Sequence, residues 1–190
     1  MKRAYKAQSG AEVIDASAES SPREDTRAQV RIYQKRLDQL FKQIREWLEG
    51  TGIRLKEAQI SINEGFPDSY RVKALELVDS GKVIVKVTPA GFRIIGAEGR
   101  VDFVGTLDTQ SVIYLVNGGP AVPAASGSDG MVRKRPLYSG VKGSGWYWIE
   151  NARLGRAKRL TRQLFRDLVK EVSDYRVLID LWIPSGELMK

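Results

Sequence analysis

Between Tyr70 and Val116 the chain is a series of short apolar runs, each closed by a turn. The run from Tyr70 ends at Asp79-Ser80-Gly81, the run from Lys82 at Thr88-Pro89-Ala90-Gly91, and the run from Phe92 at Gly96-Ala97-Glu98-Gly99. Runs this short, rich in β-branched and aromatic residues, suit an antiparallel meander better than helices. The spacing predicts strands over 72–78, 82–88, 92–95, 100–104 and 112–116. It also predicts a tight hairpin at Asp79-Ser80-Gly81 and a type I turn at Thr88–Gly91. Val83, Val85 and Val87 share one face, while Ile113 and Leu115 oppose Val112, Tyr114 and Val116. With apolar residues on both faces, the sheet is expected to curl into a small barrel or to be covered by helices.

A long helix is expected before the meander. Ser21-Pro22-Arg23-Glu24 offers a cap, a proline at the first helical position and a capping-box acid, and Gly50 supplies a left-handed stop. Val30, Tyr33, Leu37, Leu40, Ile44 and Trp47 recur at spacings of three and four, so they form one stripe. The stripe suits packing on the sheet. At roughly 40 Å the helix also exceeds a small sheet, so the same residues are a candidate seam for a protein partner or a second copy.

Beyond the helix, 53–57 reads as a connector or short helical turn and 58–63 as an edge strand. Trp146-Tyr147-Trp148-Ile149 reads as a strand, 161–173 as a helix and 177–183 as a possible final strand. The chain therefore divides into a flexible tail (1–20), a long amphipathic helix (21–50) and an α+β domain (51–190) with a mobile Gly, Pro, Ala and Ser loop at 117–131. The fold class is α+β, with a long N-terminal helix, an antiparallel meander and a C-terminal helix.

Composition narrows the chemistry. The chain has no cysteine and no histidine. Thiolate metal sites, cysteine nucleophiles and imidazole bases are therefore excluded. No apolar run is long enough for a transmembrane helix, and the basic start lacks the apolar core of a signal peptide. A cytoplasmic protein without cofactor or metal, and without a membrane association, is the expectation.

Positive charge is gathered in one place. Residues 131–166 hold ten cations, Arg133, Lys134, Arg135, Lys142, Arg153, Arg156, Lys158, Arg159, Arg162 and Arg166, against one acid, Glu150. The remaining residues hold 21 cations and 22 acids. Such segregation is the footprint of a site for a polyanion, nucleic acid or an acidic protein surface. Arg159, Arg162 and Arg166 would share a face if helical. Trp146 and Trp148 lie beside these charges and offer base stacking if exposed, or core if not. Gly140–Gly145 has glycines around Lys142 but lacks the order of a phosphate-binding loop and reads as a hairpin loop. A metal-dependent nuclease would need converging carboxylates; Asp102 is a lone candidate, and no Glu-x-Lys pattern follows Pro67-Asp68. The expected function is a non-enzymatic accessory or adaptor subunit that binds nucleic acid or another polyanion through the basic segment, with the long helix docking to a protein partner. The alternatives are an inhibitor or immunity-type module covering an acidic protein surface, and the nuclease.

Overall fold

The computed structural model of the protein describes residues 22–65, 69–124, 133–151 and 153–175. The expected tail, the Ser21 cap and the strand at 177–183 lie outside the described residues. The chain is α+β, with the long N-terminal helix, the antiparallel sheet and the C-terminal helix in the expected order.

Helix α1 spans Pro22–Trp47, with Glu24 and Asp25 in its first turn and Arg45 in its last. Those charges complement the helix dipole. The chain then leaves the helix through Gly50, whose φ of 76° suits a residue without a side chain. Strands β1 (Arg54–Ile62), β2 (Tyr70–Asp79), β3 (Lys82–Gly91), β4 (Arg100–Val104) and β5 (Thr109–Leu115) follow. After a short ribbon of β6 (Ala121–Pro123) and β7 (Lys134–Pro136) come β8 (Gly145–Asn151), β9 (Arg156–Arg159) and α2 (Arg162–Val172). The main sheet has seven strands in the order β1-β2-β3-β4-β5-β8-β9, each antiparallel to its neighbours. It is open, with β1 and β9 at its edges, so the barrel alternative is not realised.

The hairpin expected at Asp79-Ser80-Gly81 forms, while other local expectations change. The β2–β3 hairpin turns on Ser80 (φ 47°) and Gly81 (φ 83°), the positive pair that a two-residue turn requires. Thr88–Gly91 is not a turn. Strand β3 continues to Gly91, with Pro89 opposite Val101 and a register shift before Gly91; a bulge is where a strand tolerates proline. Residues 92–95 form a turn with one bridge, Ile94 to Ala97, and not a strand. Arg54–Glu57 belongs to β1, not to a connector. Of the loop expected at 117–131, residues 125–131 lie outside the described residues, and its first part enters the β6–β7 ribbon.

One core cluster joins the sheet to both helices. Tyr33, Leu37, Leu40, Phe41, Ile44 and Leu48 from the α1 segment and Phe165, Leu168, Val169 and Val172 from α2 are buried in it. They pack on Leu75, Val87, Phe103, Val101 and Val112, which lie in cross-strand register. Trp47 and Phe165 bring the helices together at 5.5 Å between ring centroids. The seam expected for a partner is thereby corrected. Tyr33, Leu37, Leu40 and Ile44 are covered by the chain's own sheet, and Val30 and Trp47 are half-buried. The sheet covers the stripe from Tyr33 onward, while the earlier turns of α1 carry no buried residue among the described residues and Ile32 is 42% exposed.

On the opposite face of β5 and β8, a second cluster forms from Ile113, Leu115, Tyr147 and Ala157. Tyr138 and Val141 pack against it. The segment from Leu137 to Val141 thus folds back over the sheet and ties the basic region to it.

Candidate functional site

Most of the ten cations of residues 131–166 sit on one lobe at the β9 edge. The lobe comprises the β6–β7 ribbon, the segment 137–144, and the β8–β9 hairpin. Backbone hydrogen bonds hold these pieces together. Leu137 N–H donates to Pro120 O at 2.7 Å, Ser139 N–H to Gly155 O at 2.7 Å, and Ala157 N–H to Ser139 O at 2.9 Å. Gly155 makes the close approach possible, since a β-carbon there would lie 2.3 Å from Leu137 O. The hairpin turn is closed by Leu154 N–H donating to the Asn151 side chain at 2.9 Å and by a positive φ at Gly155.

The cations of the lobe divide by partner. Lys134, Arg135, Lys142 and Arg153 are exposed, and none has a carboxylate partner among the described residues. Arg133 is also exposed and begins the approach to β7. Arg156 and Lys158 share Glu150. The hydrogen bond from Lys158, with both cations' charge, holds the Glu150 carboxyl below its ordinary range. Lys158 also stands 6.0 Å over the Trp148 ring. Arg159 is held differently, by the Tyr147 hydroxyl at 3.4 Å and by Ser144 O at 3.1 Å. Both partners are neutral, so its charge is not cancelled.

Arg162 and Arg166 do not join Arg159 on a helical face. Leu160 N–H still donates to Trp146 O at 2.8 Å, so the strand pairing persists to residue 160. Thr161 then caps α2, its side chain accepting from Leu164 N–H at 3.2 Å. Arg162 and Arg166 are half-buried on the helix.

The tryptophans also separate. Trp146 is 6% exposed and donates its indole N–H to Arg36 O at 3.4 Å. It is a core residue, so of the two alternatives the core one holds for Trp146. Its alternation in β8 points it at α1, and that helix covers it. Trp148 is half-buried and donates to Gln110 Oε1 at 2.9 Å.

Two features of the region have no clear mark in the sequence. One is a cleft of about 180 Å³ between α1 and β8, lined by Gln39, Gln43, Trp47, Tyr114, Ser144, Trp146 and Arg159 among others. The other is an exposed apolar group. Ile95 is 98% exposed and Leu154 is 68% exposed, with Leu137 between their turns. Gly96 and Gly155, the neighbours of Ile95 and Leu154, both abut Leu137.

The described carboxylates Asp102 and Asp108 are engaged by neighbours within the fold. Asp102 accepts from Arg100 and from Ser111, each at 2.7 Å, and Asp108 accepts from Thr109 N–H. Among the described residues no group of three or more acids could hold a metal ion. No described helix is long and apolar enough to cross a membrane. Compared with protein-family models, curated proteins and solved structures, the chain matches none.

Proposed function

We propose that this protein is a non-enzymatic nucleic-acid-binding subunit that engages its ligand through the β9 lobe. The observation that carries the reading is the group Lys134, Arg135, Lys142, Arg153 and Arg159, which lies on one hydrogen-bonded lobe without carboxylate partners among the described residues. Elsewhere acids meet cations: Glu57 with Arg45 and Lys73, Glu76 with Lys86, Asp102 with Arg100. Cations left open on one surface release counterions when phosphates replace them, and that release drives binding. Guanidinium forks add directional hydrogen bonds to phosphate oxygens. Docking through α1 is not part of the proposal, because its apolar stripe is covered by the sheet.

Fluorescence anisotropy of a labelled single-stranded oligonucleotide tests the reading. Charge reversal of Lys142, Arg153 and Arg159 together weakens binding by at least tenfold. Reversal of three exposed cations elsewhere, Lys35, Lys42 and Arg54, leaves it within a fewfold. Equal losses in the two variants would refute a localised site.

A second reading, a module that covers an acidic protein surface, is favoured by Ile95, Leu137 and Leu154. Exposed apolar side chains are the composition of a protein interface centre, and open cations beside them suit its polar rim. This reading predicts that Ile95→Ser with Leu154→Ser abolishes capture of a protein partner and leaves oligonucleotide affinity unchanged.

A further inference from the structure

We infer that the cleft between α1 and β8 takes a single unstacked base of a single-stranded nucleic acid whose backbone lies on the β9 lobe; the inference rests on the reading above. Three observations converge. The first is chemistry. The cleft is lined by the edges of Trp47 and Tyr114, both half-buried, and mostly by polar groups from Gln39, Gln43, Ser144 and Arg159. A base needs a π surface for its face and amides for its edge, and its phosphate needs a cation.

The second is the state of those polar groups. Gln39 and Gln43 are four apart on α1, exposed, and neither carboxamide bonds to another described residue. A carboxamide offers both a donor and an acceptor, which is what the edge of a base requires. Arg159 enters from β9 and keeps its charge, since Tyr147 and Ser144 are neutral. It belongs to both the cleft and the lobe, and so links the base site to the phosphate track. Tyr114 is pinned in place, with Arg36 over its ring at 4.1 Å and Trp146 against it edge-on at 5.4 Å. Its position is therefore fixed before any ligand arrives, which lowers the cost of ordering on binding.

The third is size. At about 180 Å³ the cleft is smaller than the roughly 300–1,000 Å³ typical of drug-sized ligands. It suits one planar ring system.

The test compares two labelled strands of equal length: oligothymidylate, and the same sugar–phosphate backbone without bases. Oligothymidylate is expected to bind about tenfold tighter, the scale of one stacked base, and to quench tryptophan fluorescence through Trp47. Gln43→Phe, which fills the cleft with the protein's own ring, is expected to remove both the preference and the quenching while leaving the salt dependence unchanged. Equal affinity for the two strands overturns the base site but leaves the lobe standing. A preference that survives Gln43→Phe also overturns it, since the base is then read elsewhere. Binding of neither strand overturns the nucleic-acid reading and the base site with it.

Discussion

Arg159 lies over the ring of Tyr147, its guanidinium carbon 5.8 Å from the ring centroid. A buried phenol ring and a backbone carbonyl fix the direction of this side chain, and no carboxylate is needed to do it. The neighbouring pair Arg156 and Lys158 are held by Glu150 instead. One strand therefore carries both a neutralised and an open kind of cation, and this difference can be tested.

Replacing Glu150 with Gln removes the single acid of the basic segment and releases Arg156 and Lys158. Oligonucleotide affinity is expected to rise severalfold at low salt, with the slope against log salt steeper by about 1 to 2. Titration by anisotropy checks this. Weaker binding by Glu150→Gln would mean that the pair positions the hairpin and does not mask it.

Two glycines of the lobe should respond in opposite ways to alanine. At Gly145 a β-carbon would meet the Arg159 guanidinium at 2.9 Å, the far end of a flexible side chain. Gly145→Ala is expected to leave thermal stability nearly unchanged and to lower oligonucleotide affinity by displacing Arg159. At Gly155 the β-carbon would meet a backbone oxygen at 2.3 Å with φ at +57°. Gly155→Ala is expected to cost about 1–3 kcal/mol, read by urea unfolding.

Tyr33 anchors α1 at the β3–β4 end of the sheet. Its hydroxyl donates to Arg100 O at 2.7 Å and accepts from Gly91 N–H at 3.2 Å. Burial pushes the phenol well above its ordinary pKa, so it stays protonated across the working range. Tyr33→Phe strands both backbone groups and is expected to cost about 1–3 kcal/mol. The urea midpoint should fall with the slope unchanged.

Glu57 on β1 links α1 to β2 through Arg45 at 2.8 Å and Lys73 at 3.2 Å. The hydrogen bond from Lys73 comes first among the causes that lower its carboxyl below the ordinary range. A group depressed in the folded state stabilises fully above the unfolded pKa, and loses that contribution as pH falls through the folded value. Its side chain is 43% exposed, so solvent screens the network. Glu57→Gln is therefore expected to cost about 0.5 kcal/mol near neutrality. The difference from the parent protein should vanish in acid, as urea melts at several pH values would reveal.

What the sequence disclosed was what periodicity governs. Alternating Val83, Val85 and Val87 declared a strand, and Asp79-Ser80-Gly81 declared its hairpin, because side-chain period and backbone sign are local properties. The stripe from Tyr33 to Ile44 declared an apolar face, but not what would cover it, since that depends on the width of a sheet assembled elsewhere. Arg156–Arg159 was hidden as a strand because three of its four side chains are charged. Its pattern emerges only from small, buried Ala157 and from the Asn151–Gly155 turn before it. The cleft was not legible at all: Gln39 and Gln43 are ordinary helix-surface residues until the sheet brings Tyr114 and Arg159 against them. The concentration of charge survived folding in part. The lobe keeps Lys134, Arg135, Lys142, Arg153, Arg156, Lys158 and Arg159 together, while Arg162 and Arg166 go to α2.

The most direct test is the slope of log affinity against log salt for a single-stranded oligonucleotide, measured on the parent protein and on a variant with Lys134, Arg135, Lys142 and Arg153 changed to Gln. The proposed lobe predicts a steep negative slope for the parent and one shallower by about 2 to 3 for the variant, at roughly 0.7 for each phosphate no longer neutralised. Parallel slopes for the two proteins would contradict it.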